Sequence, residues 1–397
     1  MATGTVGVLG RARTAVVVAF VVHGLIAAAW VVRIPQIKRE LGLSEGALGV
    51  ALLGAPVGVV LAVRFARWTI VRWGSRATTV AAGVAGALSL VPLGLSWNMG
   101  SLTCSLVLMG GSLGLMDVAM NAQGVAVERG YARPLMSGMH GAYSLGTLAA
   151  ALIGAGVAHL GVPVAVHLGV MAAVLAAMML LGCRGLLDRS ADEDPVPVTD
   201  AAAGAGATAA PKVRAGRWTL ALLGLIGLCS FVGEGAMADW SAVYLRETLH
   251  TGPGVAGLGY AGCAVAMAAG RLAGDRIVAR FGPVPVLRAG SLIAASGLAL
   301  GLLAGHPAVA VIGFTLFGLG VAPVAPVTFS AAGNLPGIPA ATGISRVTAV
   351  GYLGLLGGPP VIGFVAQGVG LTWALAVPVV LAAAIVAVAG AASAASR

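Results

Sequence analysis

The sequence carries very little charge for its length. Of its 397 residues only 9% are Asp, Glu, Lys or Arg, whereas soluble domains contain about 25%. Hydrophobic residues make up 59% of the chain, and the mean hydropathy is +0.99. A soluble protein cannot accommodate so many apolar side chains, because its water-facing surface needs polar residues. The composition therefore excludes cytosolic enzymes, secreted disulfide scaffolds and disordered chains, and it leaves a polytopic membrane protein.

The motifs that identify many enzymes are also missing from the sequence. The four cysteines stand singly in or beside apolar runs, which is typical of inert packing residues. There is no P-loop, no zinc-type Cys/His spacing and no nucleophile elbow. Aromatic residues are only 5% of the chain, too few for a heavily aromatic sugar site. We therefore expect no enzyme activity, no cofactor and no metal.

Twelve apolar runs are long enough to cross a bilayer, which takes about 20 helical residues. Their approximate limits are 14–33, 47–66, 77–96, 101–126, 136–158, 162–182, 218–245, 254–274, 285–304, 308–331, 341–365 and 371–393. Ala, Gly, Val and Leu dominate these runs, and such small residues let helices approach closely in lipid. The sequence thus predicts an all-α membrane protein with twelve transmembrane helices.

Basic residues are distributed unevenly between the two sets of predicted loops. Lys and Arg total 23 against 13 for Asp and Glu, which gives a net charge of +10. On one side of the predicted membrane the only basic residues are Arg33, Lys38, Arg39 and Arg246. By the positive-inside rule the opposite, basic side is cytoplasmic. The positive charge therefore indicates orientation rather than nucleic-acid binding, with both termini in the cytoplasm and the chain in the cytoplasmic (inner) membrane.

The polar segment 183–217 divides the chain into two halves of six spans each. It includes a low-complexity run at 201–210, which is typical of a flexible linker, here on the cytoplasmic side. The halves 1–182 and 218–397 match at an offset of 208, as in the pairs Leu41/Leu249, Gly54/Gly262, Gly74/Gly282, Gly110/Gly318 and Gly146/Gly354. Parallel six-helix repeats enclose a central cavity with a substrate site near the midplane.

This pattern resembles the major facilitator superfamily over essentially the whole chain. The family's loop signature G-x-L-a-D-R-x-G-R-R is similar to residues 67–76, in which Arg72, Gly74 and Arg76 match and Val71 replaces the Asp. A second copy lies at 270–282, where Asp275 supplies the acid. The resemblance implies a gating role for the charged residues of both copies, which are Arg72, Arg76, Arg271, Asp275 and Arg280.

Segment 114–121 is similar to the G-x-x-[ED]-x-x-x-N pattern of the fucose-permease-like branch of that family. In that branch, acidic residues of spans one and four face the cavity and are tied to proton-coupled sugar uptake. Asp117 corresponds to the span-four acid, whereas Val31 stands at the position of the span-one acid. The segment 34–38 at the end of span one carries a second likeness to the same branch.

A few polar side chains lie within the predicted spans, where a charge costs roughly 2.5–3.5 kcal/mol. Asp117 and Asn121 share a helix face by their i, i+4 spacing, and Glu234 shares a face of span seven with Ser241. We expect these residues to bind the substrate or carry a proton, together with His140 and Ser144 of span five. The alternatives are a structural ion pair for Asp117 and a helix–helix hydrogen bond for His140.

Arg346 is the only cation that the sequence places well inside a span, so it requires a counter-ion. We expect a gate in which Arg346 pairs with Asp117 of the other half. At the outer mouth we expect Asp239 to pair with Arg33 or Arg246. The alternatives are that Arg346 binds backbone carbonyls near the interface and that Asp239 is a solvated residue of the mouth.

These patterns together favour a secondary active transporter that works by alternating access. The expected cargo is a sugar-like or small polar solute, coupled to protons. The alternatives are efflux of a drug or metabolite by proton antiport and, with less support, a non-transporting membrane sensor. We expect a monomer in the lipid bilayer with a small-molecule substrate and no nucleic-acid partner.

Overall fold

The structure, a computed structural model, describes residues 2–43, 45–192 and 209–396, and its regular elements in these ranges are all helical. The α-helices are α1 (Ala2–Ala29), α2 (Ile34–Glu40), α3 (Glu45–Leu52), α4 (Gly54–Leu88), α5 (Leu90–Gly94), α6 (Met99–Tyr131), α7 (Met136–His159), α8 (Val164–Gly182), α9 (Ala209–Val243), α10 (Pro253–Phe281), α11 (Pro283–Leu303), α12 (Pro307–Val321), α13 (Val324–Gly333), α14 (Ala340–Val369), α15 (Leu371–Ala374) and α16 (Ala376–Val388). Short 3-10 or π-helical turns lie at Val31–Arg33, Cys183–Gly185, Arg189–Asp192, Tyr244–Thr248 and Ala389–Ser396. The predicted all-α class is confirmed.

Ten helical stretches in the described ranges are long and apolar enough to cross a membrane. One of them, Val50–Gly94, runs for 45 residues, although one crossing takes about 20. Gly74 interrupts this stretch with non-helical φ and ψ angles of 86° and 157°. The stretch therefore contains two of the predicted spans, one on each side of Gly74. The remaining predicted span, 254–274, lies within α10, and α10 is not one of the ten helical stretches counted above.

The backbone break at Gly74 has a counterpart 208 residues later. Gly282, between α10 and α11, has a φ of 80° and a ψ of 160°, close to the angles of Gly74. This region of the φ/ψ map is essentially restricted to glycine, because a Cβ atom would clash there. The same sharp turn therefore joins the second and third spans of each half, as the repeat predicts.

One very close contact between helices repeats at the same offset. A Cβ atom built on Gly110 would lie 1.9 Å from the carbonyl oxygen of Ala55, and one on Gly318 would lie 2.2 Å from that of Cys263. Ala55 and Cys263 are themselves 208 residues apart. Only a glycine lets the backbones of α4 and α6, or of α10 and α12, approach so closely.

The chain forms two compact units. The first comprises Met1–Ala132 and Met139–Asp194, and the second comprises Arg133–Gly138 and Pro195–Arg397. The predicted flexible linker stays a prediction, since its central part, 193–208, lies outside the described residues. Its last part is helical, because α9 begins at Ala209.

The first part of the predicted linker is bound to the turn at Gly74 in the first unit. Arg76 Nη1 donates to Asp188 Oδ1 at 2.9 Å, and the backbone N–H of Ser75 donates to Asp192 Oδ2 at 2.8 Å. The buried Gln123 amide joins the two segments: its Nε2 donates to Ser75 Oγ at 2.6 Å and its Oε1 accepts from the N–H of Leu187 at 2.9 Å. Asp192 thus supplies a carboxylate at the signature turn, where Val71 replaces the family's acid.

Candidate functional site

The first unit holds a buried carboxylate on α6. The Asp117 side chain is close to fully buried, with 9% of the residue exposed, and Asn121 is completely buried. Asn121 Nδ2 donates to the Asp117 carbonyl oxygen at 2.8 Å and to its Oδ1 at 3.1 Å. Among the described residues of this unit no cation forms a salt bridge with Asp117. The first unit therefore presents a carboxylate whose hydrogen-bond partner is a neutral amide of its own helix.

Two histidines of the same unit lie on α1 and α7. His23 Nε2 on α1 donates to the carbonyl oxygen of Leu113, one turn before Asp117, at 3.2 Å. The ring of the buried His140 lies 5.0 Å from that of Phe20, between centroids. Ser144 Oγ donates to the His140 carbonyl at 3.2 Å, so its hydroxyl is engaged with its own helix. Sequence reasoning did not select His23 for the site, although it is a polar residue inside a span.

The second unit contains a buried ion pair that the sequence did not predict. Arg271 Nη2 on α10 lies 3.1 Å from Glu234 Oε2 on α9, and the two side chains are 8% and 19% exposed. Ser230 Oγ, one turn before Glu234, donates to Glu234 Oε1 at 3.1 Å. Arg271 was expected among the loop cations of the signature. It lies instead inside the unit, where it neutralises Glu234.

The expectation that Arg346 is the only cation buried in a span is wrong. Arg346 is exposed, whereas Arg271, which falls in the predicted span 254–274, is buried. Arg33 is fully buried, and its Nη2 donates to the carbonyl oxygen of Val162. The reason is geometric: position along a sequence indicates depth in the membrane but not which side of the helix a side chain takes. The proposed Asp117–Arg346 pair stays a prediction.

Two of the residues expected at the outer mouth lie around the end of α9: Asp239 in its last turns and Arg246 in the turn that follows. Asp239 and Arg246 are both exposed, and no salt bridge joins them within the described part of the second unit. The Asp239–Arg246 pair is therefore not formed in this structure, and pairing of Asp239 with Arg246 or with Arg33 stays a prediction. Ser241 is buried, and its hydroxyl donates to the Met237 carbonyl at 2.5 Å.

The second copy of the loop signature places its acid at the start of α7. Asp275 Oδ1 accepts the backbone N–H of Ser137 and Oδ2 accepts that of Gly138, both at 2.8 Å. A carboxylate is stabilised there because the first N–H groups of a helix lack intrahelical partners and carry partial positive charge. Arg72 and Arg280 are exposed, and the Arg280 guanidinium carbon lies 5.4 Å from the ring centroid of Phe281.

Replacing Asp275 with alanine, which removes both acceptor oxygens, should loosen the start of α7. Losing a charged cap costs roughly 0.5–2 kcal/mol, so the amides of Ser137 and Gly138 should exchange about 2- to 30-fold faster. Hydrogen–deuterium exchange of the peptide that spans them measures this effect. Glu247→Gln, which neutralises an exposed carboxylate elsewhere in the second unit, serves as the control. Equal exchange in both variants would contradict the capping role.

Comparison with known proteins places this architecture among transporters. The sequence profile described as Major Facilitator Superfamily matches residues 14–334. An uncharacterized MFS-type transporter of Yersinia pestis is 36% identical over 357 residues, covering 88% of this chain and 87% of that protein. The membrane protein MosC of Rhizobium meliloti is 32% identical over 362 residues, covering 91% and 85%.

Solved structures show the same fold. The E. coli fucose:proton symporter FucP superposes with a TM-score of 0.75 at 17% identity, covering 95% of this chain and 97% of that one. The human organic anion transporter MFSD10 gives a TM-score of 0.74 at 15% identity, covering 96% and 99%. At these identities the likeness concerns the fold, and the substrates named belong to those proteins.

Proposed function

Because this chain belongs to the Major Facilitator Superfamily of membrane transporters, we propose that it is a proton-coupled secondary transporter of a small polar solute. Proteins of this family are normally not enzymes. The chain is a multi-pass membrane protein, which we assign to the cytoplasmic membrane with both termini in the cytoplasm. We assign it a monomeric state, since one chain supplies both repeats and alternating access needs no second copy.

The carboxylate of Asp117 carries this proposal. Its only hydrogen-bond donor among the described residues of its unit is the Asn121 amide, and no cation of that unit neutralises it. Ionisable groups in such positions mark proton relays or substrate sites, because a permanent unpaired charge is costly in the membrane. Asp117 is therefore our candidate for the residue that takes up and releases the coupled proton, and Asn121 for its positioning residue.

The Glu234–Arg271 pair suits a second role. Glu234 accepts hydrogen bonds from Ser230 at Oε1 and from Arg271 at Oε2, so both of its carboxylate oxygens are already engaged. A solute hydroxyl that reaches the pair would compete for the same carboxylate oxygens. We assign the pair to solute binding or gating rather than to proton uptake.

Two solved structures with this fold carry different cargoes. The fucose:proton symporter FucP shares the fold, and segment 114–121 resembles its branch, which supports uptake of a sugar-like solute. The fold is also that of an organic anion transporter, and the buried guanidinium of Arg271 offers a cation to such cargo. Efflux of an organic anion by proton antiport is thus the second candidate.

The proposal is tested in proteoliposomes that contain a pH-sensitive dye. Sugars, polyols, amino acids, organic anions and amphipathic drugs are added outside, one class at a time. Uptake coupled to protons acidifies the interior for one class, and the signal disappears in protein-free liposomes and with a protonophore. Internal alkalinisation would instead indicate antiport. Passage of labelled solute with no pH change would contradict proton coupling.

A further inference from the structure

A cavity of about 340 Å³ lies at the Gly74 turn of the first unit, outside the candidate transport site. Its walls come from the residues after Gly74, from the end of α8 and from the segment that follows α8. Three arginines line it, Arg76, Arg184 and Arg189, against a single acid, Asp188. The cavity is therefore basic, and none of its residues belongs to the Asp117 or Glu234 clusters.

The arginines are incompletely neutralised. The Arg76–Asp188 salt bridge is 2.9 Å long, but its side chains are 43% and 81% exposed, and exposed pairs contribute only about 0–1 kcal/mol. Arg189 Nη2 donates to the Val71 carbonyl at 2.7 Å. The Arg184 guanidinium makes no hydrogen bond to the residues described, although its backbone carbonyl accepts from Arg76 Nη2 at 3.0 Å. An anion of suitable size can thus engage Arg184 and displace Asp188 from Arg76.

The same cavity has an apolar wall. Val80 and Leu180 line it, and Leu180 is 54% exposed on the outer surface of α8. Trp73 also lines it and lies edge-on to the exposed Trp68, with 5.2 Å between ring centroids. Exposed tryptophans mark the headgroup level of a bilayer. The cavity therefore joins a basic pocket at headgroup level to an apolar surface that faces the acyl chains.

We propose that this cavity binds the headgroup of an anionic phospholipid. Its phosphate contacts Arg184 and Arg76, and one acyl chain follows Leu180 and Val80. Phosphate and guanidinium groups form charge-assisted hydrogen bonds, and basic pockets on the cytoplasmic side of membrane proteins recognise anionic headgroups. Binding would draw Arg76 away from Asp188, so the lipid and the segment after α8 compete for one cation.

The test uses the purified full chain, freed of bound lipid, with phosphatidylglycerol, phosphatidylcholine and glycerol 3-phosphate as probes. Native mass spectrometry measures each affinity. Phosphatidylglycerol should bind about tenfold more tightly than phosphatidylcholine. Arg184→Gln should weaken phosphatidylglycerol binding by about fivefold or more, whereas Asp188→Asn, which removes the competing carboxylate, should strengthen it. Arg217→Gln removes an exposed charge outside the cavity and should have no effect.

Three outcomes would overturn the proposal. Equal affinity for both lipids would show that the headgroup charge is not recognised. Equal losses in Arg184→Gln and Arg217→Gln would show general attraction to a basic protein. Binding of glycerol 3-phosphate as tight as that of phosphatidylglycerol would identify a soluble phosphate compound instead of a lipid. Each readout is independent of transport and thus of the proposed function.

Discussion

Solute accumulation driven by a pH gradient is expected to vanish when Asp117 is replaced with asparagine. With one proton per solute, a gradient of two pH units supports about 100-fold accumulation, since each unit is worth about 1.4 kcal/mol. Asparagine keeps the shape of the side chain and its contact with Asn121 but cannot exchange a proton. The accumulation ratio should therefore fall to about one, while exchange of labelled for unlabelled solute continues.

The measurement is uptake of the solute that gives the largest dye response, in proteoliposomes with an imposed pH gradient. Glu247→Gln, which neutralises an exposed carboxylate, is the matched control and should accumulate solute normally. Accumulation by Asp117→Asn at the wild-type level would remove Asp117 from the coupling mechanism. Loss of both accumulation and exchange would assign Asp117 to solute binding, which also contradicts the proton role.

Breaking the Glu234–Arg271 pair should lower the free energy of unfolding far more than neutralising an exposed charge does. Glu234→Gln leaves the Arg271 charge buried without its partner, and Arg271→Gln does the same to Glu234. Removing one member of a buried pair costs about 3–5 kcal/mol, whereas replacing both members costs much less. Each single variant should therefore lower the free energy of unfolding by about 3 kcal/mol, and the double variant should recover most of it.

Denaturant titration in mixed micelles, run as a double-mutant cycle, measures this coupling. Arg276→Gln is the matched control, because Arg276 is exposed on the same helix, α10. If both single variants resemble Arg276→Gln, the pair does not stabilise the second unit. A double variant as unstable as the sum of the singles would show that the two side chains act independently.

The features that the sequence predicted well are those that depend on local pattern. Long apolar runs must become helices in a membrane, because every backbone polar group needs an internal partner there. The 208-residue offset pairs Gly74 with Gly282, and the structure gives both residues nearly the same backbone angles, in a region restricted to glycine. The resemblance to the Major Facilitator Superfamily is likewise confirmed by the profile match over 14–334.

The ion pair was missed because it depends on how two helices face each other. Glu234 and Arg271 lie 37 positions apart, and no periodic pattern fixes the relative rotation of α9 and α10. The sequence nevertheless contained a signal for such a pair. Arg271 falls in the predicted span 254–274, and a cation inside a span requires a counter-ion. The prediction for Arg346 failed for a related reason: the sequence indicated its depth in the membrane but not the side of the helix that its side chain takes.

The cap on α7 can form only late in synthesis of the chain. Asp275 is 138 positions after Ser137, so the ribosome translates a large part of the protein before the cap exists. The contacts of Gly110 with Ala55, by contrast, form between segments translated close together. During biogenesis the amides at the start of α7 therefore stay available to water or to the insertion machinery until α10 emerges, and truncation before residue 275 should yield a nascent chain with a frayed α7.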